Sequence, residues 1–305
     1  METMKKLFAL GLLFAAALSC GACEQDEATG IGSEPKTFDT GSDKLTLYKD
    51  ICYGGVPGGI RSDDRSSDRL LDLYIPTAAA PEGGYPVFLF VHGGGFAGGD
   101  KSDKTGYNSI CKNMAERGYA VVSMNYYLTM KYEKEPGVSC SSEMKNGLPA
   151  SGEFQPLVQR AVRNASDDAT LVLEWIKKNA EKYGLDTDFV AVCGGSAGSM
   201  TVLHLAYLSG QKVLPVKAVV NLWGGMENPS KIEAPAPPML IYHGDQDALI
   251  HVDYAYAFKQ RMNEIGCRVE LHILKGKGHA QYAYIAKYCT GEIDEFLKSL
   301  RGSVS

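Results

Sequence analysis

The chain has 305 residues, 45% apolar and 22% charged, which suits a sizeable core and excludes a disordered polymer. Lys plus Arg number 31 and Asp plus Glu 36, so the formal net charge is −5; a nucleic-acid binder needs a strong positive footprint instead. No apolar run reaches the roughly 20 residues of a membrane-spanning helix, and the 34 Gly and 13 Pro follow no collagen-like period.

The chain opens with an address. Lys5 and Lys6 precede an apolar stretch over residues 7–18, the pattern of a secretory leader. The stretch runs into Ala17-Leu18-Ser19-Cys20, which resembles a bacterial lipobox. Residues 1–19 are therefore expected to be removed, with lipid on Cys20 anchoring the protein to a bacterial membrane. The alternative is ordinary cleavage and a soluble exported protein. Residues 20–43 are polar and read as a tether; a coil of that length reaches roughly 25–30 Å.

Eight cysteines are present. Beyond Cys20 and Cys23, the six at 52, 111, 140, 193, 267 and 289 permit 15 pairings, and spacing does not choose among them. Cys193 lies in a strongly apolar run and is expected to be a buried free thiol. No CxxC or Cys/His spacing points to zinc, so no metal or cofactor is expected.

From residue 44 onward the periodicity predicts one domain. Residues 44–53 and 69–75 read as two early strands joined by a Gly-rich connection. Continuous apolar runs then follow at 87–91, 120–124, 189–193, 216–223 and 238–242, with 268–274 closing the series; such runs mark strands buried on both faces. Between them lie helical stripes. One comprises Ala165, Ala169, Val172, Leu173, Ile176 and Ala180. Another is Ala255, Phe258, Met262 and Ile265, stopped by Gly266. A third is Ile293, Phe296, Leu297 and Leu300. Strands alternating with helices predict an α/β class, with a mostly parallel sheet covered on both faces. Residues 128–163 break the rhythm. They follow a strand end, where such sheets place their binding crevice, and read either as a lid or pocket-wall insertion or as a merely decorative one.

The chemistry is expected where the 189–193 run meets Gly194-Gly195-Ser196-Ala197-Gly198, with a helix-like run after it. This is GxSxG in strand–turn–helix context. Small residues permit the sharp reversal, and the helix N-terminus favours developing negative charge. A serine nucleophile needs a base and the base an orienter, here in the chain order Ser, acid, His. Among the histidines after Ser196, His204 falls on the following helix, His243 ends a buried strand, His251 enters a helix and His272 is mid-strand. His279 lies in the Gly276-Lys277-Gly278-His279 loop after the last strand and is the expected base. The acid belongs to His243-Gly244-Asp245-Gln246-Asp247, where turn geometry leaves Asp245 and Asp247 both open. A metal-binding reading of His243, Asp245 and Asp247 lacks further ligands. The run at 87–91 ends in His92-Gly93-Gly94-Gly95-Phe96, a loop able to turn backbone N–H groups toward an oxyanion, with the Ala197 N–H as the second half of the hole. His92 reads as structural. Gly99-Asp100-Lys101 lacks the ending of a Walker-type phosphate loop.

HGGGF, GGSAG, HGDQDALI and GKGH, in that order, resemble the α/β-hydrolase esterases. The closer likeness is to bacterial carboxylesterases grouped with hormone-sensitive lipase and to feruloyl and acetyl-xylan esterase-like proteins of gut bacteria. Leu71-Asp72-Leu73-Tyr74-Ile75-Pro76 is similar to a strand of the second group. The N-terminus resembles lipoproteins of Bacteroidetes. The resemblance implies an α/β-hydrolase fold with antiparallel N-terminal strands. It implies Ser196 as nucleophile, His279 as base and, as the aspartate three after the HG glycine, Asp247 as acid. Gly94, Gly95 and Ala197 become the oxyanion donors. Two departures stand out: Gly195 occupies the Asp position of GDSAG, and Ala248 stands where many relatives have Pro. The implied activity is hydrolysis of small acyl or carbohydrate-linked esters through an acyl-enzyme. A serine peptidase of prolyl-oligopeptidase type shares the triad but usually carries a large propeller. A catalytically silent glycan-binding lipoprotein usually lacks a triad residue, whereas here all three positions are filled.

Overall fold

The computed structural model describes residues 37–38, 42–55, 65–102 and 107–301. The segments expected to be a leader and, nearly all of it, a tether lie outside the described residues, as does Cys20.

Nine strands form one sheet among the described residues. In chain order they are β1 (Thr37–Phe38), β2 (Leu45–Cys52), β3 (Leu70–Pro76), β4 (Tyr85–Val91), β5 (Ala120–Met124), β6 (Leu185–Gly195), β7 (Val216–Leu222), β8 (Met239–Gly244) and β9 (Val269–Leu274). Their spatial order is β1-β2-β3-β5-β4-β6-β7-β8-β9. The β1–β2, β2–β3 and β3–β5 pairings are antiparallel, and the remaining pairings are parallel. This is the α/β-hydrolase arrangement, with the antiparallel strands at the N-terminal edge.

The continuous apolar runs become the central strands because both faces of the sheet are covered. All seven residues of β4 and all five of β5 are buried. Successive side chains point to opposite faces, so β4 feeds two cores. Val87, Leu89 and Val91 join helices α4 (Pro156–Tyr183), α5 (Ala197–Tyr207) and α6 (Asp253–Glu264). Phe88 and Phe90 join α1 (Tyr107–Ala115) and α8 (Thr290–Leu300) on the other face. Gly184 ends α4 in the left-handed conformation (φ 63°), and Gly266 (φ 68°) follows α6 as its stop signal requires.

Residues 128–163 are not one irregular insertion. They hold the short helices α2 (Thr129–Tyr132) and α3 (Cys140–Met144), and their last eight residues belong to α4. Pro156 opens α4, where its missing N–H is harmless. Leu157, Val158 and Ala161 are buried and carry the stripe of Ala165 and Ala169 back by two turns. Cys111, Cys140, Cys193 and Cys289 are buried free thiols, whereas Cys52 is disulfide-bonded. No described helix is long and apolar enough to cross a membrane.

Candidate active site

Parallel strands end together, and four of those ends build the site. β6 delivers Ser196 at a tight turn with φ 57° and ψ −122°, and α5 starts at the next residue. The glycines around it are steric necessities. A Cβ on Gly198 would run into the carbonyl oxygens of Val91 and His92, and one on Gly194 into the backbone of Gly198. The strained turn is held from both sides: Ser196 N–H donates to the Leu222 carbonyl at 3.0 Å, and Met200 N–H donates to the Ser196 carbonyl at 3.0 Å.

β8 delivers the acid and β9 the base. His279 Nε2 lies 2.9 Å from Ser196 Oγ, and His279 Nδ1 lies 2.7 Å from Asp247 Oδ2. An acceptor at Nδ1 puts the imidazole proton there and leaves the Nε2 lone pair facing the serine hydroxyl. Asp247 has its other oxygen occupied, since Oδ1 accepts from Leu249 N–H and Ile250 N–H at 2.9 Å each. Burial works against its charge. Nevertheless, hydrogen bonds from His243 and His279 and the Ile250 N–H hold its carboxyl well below the ordinary carboxylate range. His243, fully buried, has Nε2 2.8 Å from the Ile250 carbonyl and 3.5 Å from Asp247 Oδ2. The two aspartates that the turn pattern left open are thus separated. Asp245 accepts from Gly276 N–H at 2.7 Å and closes the loop that carries His279. Among the described residues no group of three or more His, Cys, Asp or Glu side chains is placed to hold a metal ion.

β4 delivers the glycine loop. Gly94 (φ 113°) and Gly95 (φ 62°) take conformations open to glycine, and the Gly94 carbonyl accepts from Ala97 and Gly98 N–H at 3.1 Å each. His92 supports the loop: its Nδ1 is 2.7 Å from the Gly93 carbonyl and its ring stacks on Tyr126 at 4.4 Å. Ala197, first residue of α5, has one of the N–H groups that a helix start leaves without an internal acceptor. The other histidines stand elsewhere. His204 is half-buried on α5 against Ser166 Oγ (2.9 Å), His272 stacks on Tyr242 at 4.8 Å, and His251 sits beside Asp253 (3.2 Å).

Strain concentrates here. Among the described residues, the non-glycine residues with positive φ are Asp50, Arg65, Phe96, Ser196, Trp223 and Ala280. Phe96 closes the glycine loop, Ala280 follows the base, and Trp223 presents its ring to His279 at 6.4 Å. Each such conformation costs on the order of 1–3 kcal/mol and persists where the surroundings impose it, which is typical of functional sites.

A cavity of about 520 Å³ opens over the serine. Its floor is backbone, from Gly93, Gly94, Gly95, Ala97 and Gly99, beside Ser196 and His279. Ser139, Cys140 and Ser141, at the start of α3, form part of its wall, so the 128–163 segment does contribute to the crevice. Leu249, Ile250, Ala280 and Tyr282 complete the lining. Sequence reasoning did not single out Tyr282, Trp223 or the support that His243 gives Asp247. The one available signal was Gly195, since a glycine in place of Asp leaves room that another residue must fill.

The far end of the glycine loop is fixed by a buried cation. Lys101, 3% exposed, bonds Asp50 at 2.7 Å and the buried Asp72 of β3 at 2.9 Å. Its N–H donates to Asn125 Oδ1 at 2.6 Å, and its carbonyl accepts from Ser123 Oγ at 2.9 Å. Lys101→Ala would strand Asp72 without its cation, which costs about 3–5 kcal/mol for a buried pair. Urea unfolding is expected to show that loss as a lower midpoint with unchanged slope.

A family model described as BD-FAE matches residues 71–137 and 150–224. The carboxylesterase patB of Aspergillus clavatus is 28% identical over 223 residues, 69% of this chain and 37% of that protein. The esterase LipC of Mycobacterium tuberculosis is 24% identical over 280 residues, 75% of this chain and 58% of that protein. The chain therefore spans less than two thirds of these curated relatives. Among solved structures, a thermophilic esterase of Thermogutta terrifontis with bound propionate superposes with a TM-score of 0.57 at 18% identity, covering 82% of this chain and 93% of that one. A truncated carbohydrate esterase from gut microbiota gives 0.57 at 16%, covering 87% and 99%. The fold is that of the α/β-hydrolases, and the sequence relatives named here are esterases.

Proposed function

We propose that the protein is a serine carboxylic ester hydrolase. The observation that carries this is the hydrogen-bonded line from Asp247 through His279 to Ser196, with distances of 2.7 and 2.9 Å. In this reading Ser196 Oγ attacks the acyl carbon while His279 Nε2 takes its proton. Asp247 stays ionised and stabilises the imidazolium. The N–H groups of Gly94, Gly95 and Ala197 hold the oxyanion; one such donor contributes about 3–4 kcal/mol in the transition state. His279 then gives its proton to the leaving alcohol, and water repeats the sequence to release the acid.

The substrates are small acyl or carbohydrate-linked esters, acetyl or feruloyl. A cavity of about 520 Å³ over Ser196 has room for either acyl group, and the hydroxyl-bearing Ser139 and Ser141 in its wall suit a polyol alcohol. The shared fold with the gut-microbiota carbohydrate esterase and the BD-FAE match support the same class. The test is labelling by a fluorophosphonate probe together with hydrolysis of p-nitrophenyl acetate and release of acetate from acetylated xylan or of ferulate from methyl ferulate. Silence to probe and to every ester would end the reading.

Its address is export with a lipid on Cys20, on the strength of Lys5, Lys6, the apolar 7–18 stretch and Ala17-Leu18-Ser19-Cys20. Cys20→Ser is expected to abolish incorporation of a labelled fatty acid and to move the protein from the membrane to the soluble fraction. Undiminished labelling of that variant would refute the assignment.

A further inference from the structure

Gly195 is the residue of the serine turn that departs from the Asp-bearing motif, and an aromatic ring takes its space. A Cβ on Gly195 would meet Cε1 and Cζ of Tyr282 at 2.6 Å each. A Cβ on Gly93 would meet the Tyr282 hydroxyl oxygen at 2.8 Å, the Gly195 carbonyl at 2.9 Å and Ser196 Cβ at 3.3 Å. The phenol is thus wedged between the glycine loop and the residue preceding the nucleophile, in space that two glycines leave open.

The wedge is rigid. Tyr282 is 7% exposed, and its ring lies edge-on to Trp223 at 4.9 Å and to Phe90 at 6.5 Å. It opens α7 (Tyr282–Tyr284), which passes directly into a π-helical turn, Ile285–Cys289, before α8. Such turns interrupt regular helices and recur at functional sites. Tyr282 also lines the cavity over Ser196. Leu249, Ile250 and His279 line the same cavity, and the Tyr282 ring is the large side chain packed against the residue preceding Ser196.

We propose that Tyr282 sets the size of ester that Ser196 accepts, filling a volume beside the nucleophile that would otherwise belong to substrate. The proposal rests on the esterase reading above. Trimming the ring joins its volume to the cavity and admits longer groups, whereas the hydroxyl matters less than the ring.

The test compares wild type with Tyr282→Ala and Tyr282→Phe on two ester series. One varies the acyl chain of p-nitrophenyl esters from acetate to octanoate. The other varies the alcohol of acetate esters from methyl to benzyl. Each newly buried methylene is worth about fourfold in affinity, so the long-to-short ratio of kcat/KM in at least one series should rise roughly tenfold or more in Tyr282→Ala. Tyr282→Phe should keep the wild-type ratio. Tyr282→Leu keeps an apolar filling and should move the ratio in the same direction if the alanine variant fails to fold. Unchanged ratios in both series, in a variant that still takes the fluorophosphonate probe, would overturn the proposal and leave the esterase reading standing. A wild-type protein silent to the probe would overturn both.

Discussion

Ser196→Ala is expected to keep the fold and lose roughly 10⁶-fold in kcat on p-nitrophenyl acetate, the size of loss seen when a triad serine is removed. The fold should survive because the serine side chain contributes little to it. Backbone bonds hold the turn, from Ser196 N–H to Leu222 and from Met200 N–H to Ser196, and alanine keeps both. The strained φ of 57° is imposed by the packing of Gly194 and Gly198 against the backbone, not by the hydroxyl. What alanine deletes is the Oγ held 2.9 Å from His279 Nε2. The glycine loop and the Ala197 N–H stay, so a residual acceleration of about 10³–10⁴-fold over water is expected from them and from binding. Thermal unfolding measured beside kinetics separates the two effects. An unchanged melting temperature with lost turnover and lost probe labelling is the expected pair. Full turnover in the variant would move the chemistry away from this serine.

The parts legible in the sequence are those whose physics is local. Val87 to Val91 reads as a central strand because a parallel strand covered on both faces leaves no polar position to interrupt the run. The serine turn reads from Gly194 and Gly198 because the contacts that forbid a side chain there lie within the motif and its neighbouring strand. The start of α4 was hidden because Leu157, Val158 and Ala161 lie among residues with weak periodicity, and only tertiary burial extends the helix back to Pro156. Asp245 and Asp247 could not be told apart by turn pattern. Both cap loops, and the difference is a partner 32 residues away for Asp247 and 31 away for Asp245. Tyr282 was invisible for the same reason: its role exists only once β6 and the C-terminal helices meet. Gly195 marked the place as a missing side chain without saying what filled it.

Asp247→Asn is expected to lower kcat on the order of 10⁴-fold with little change in structure. The amide oxygen can still accept from Leu249 and Ile250 N–H, which Asp247 Oδ1 accepts at 2.9 Å each, so the turn keeps its shape. That orientation turns the amide NH2 toward His279 Nδ1, where Asp247 Oδ2 now sits at 2.7 Å. A donor facing Nδ1 favours the tautomer with its proton on Nε2. That proton then points at Ser196 Oγ, and the imidazole can no longer take the serine's own. Removing the carboxylate also removes the charge that stabilises the imidazolium. The same substitution has a signature in stability against pH. The folded Asp247 carboxyl lies below its ordinary value of 3.8 despite burial, because His243, His279 and the Ile250 N–H favour the anion. A carboxyl depressed on folding stabilises the folded state at every pH above its unfolded value. That contribution fades as pH falls below 3.8 toward the folded value. Wild type should therefore lose stability more steeply than Asp247→Asn over that acid interval. Parallel curves throughout the acid interval would mean that the carboxylate is not held by its histidines, and a variant with wild-type kcat would remove it from the proton path.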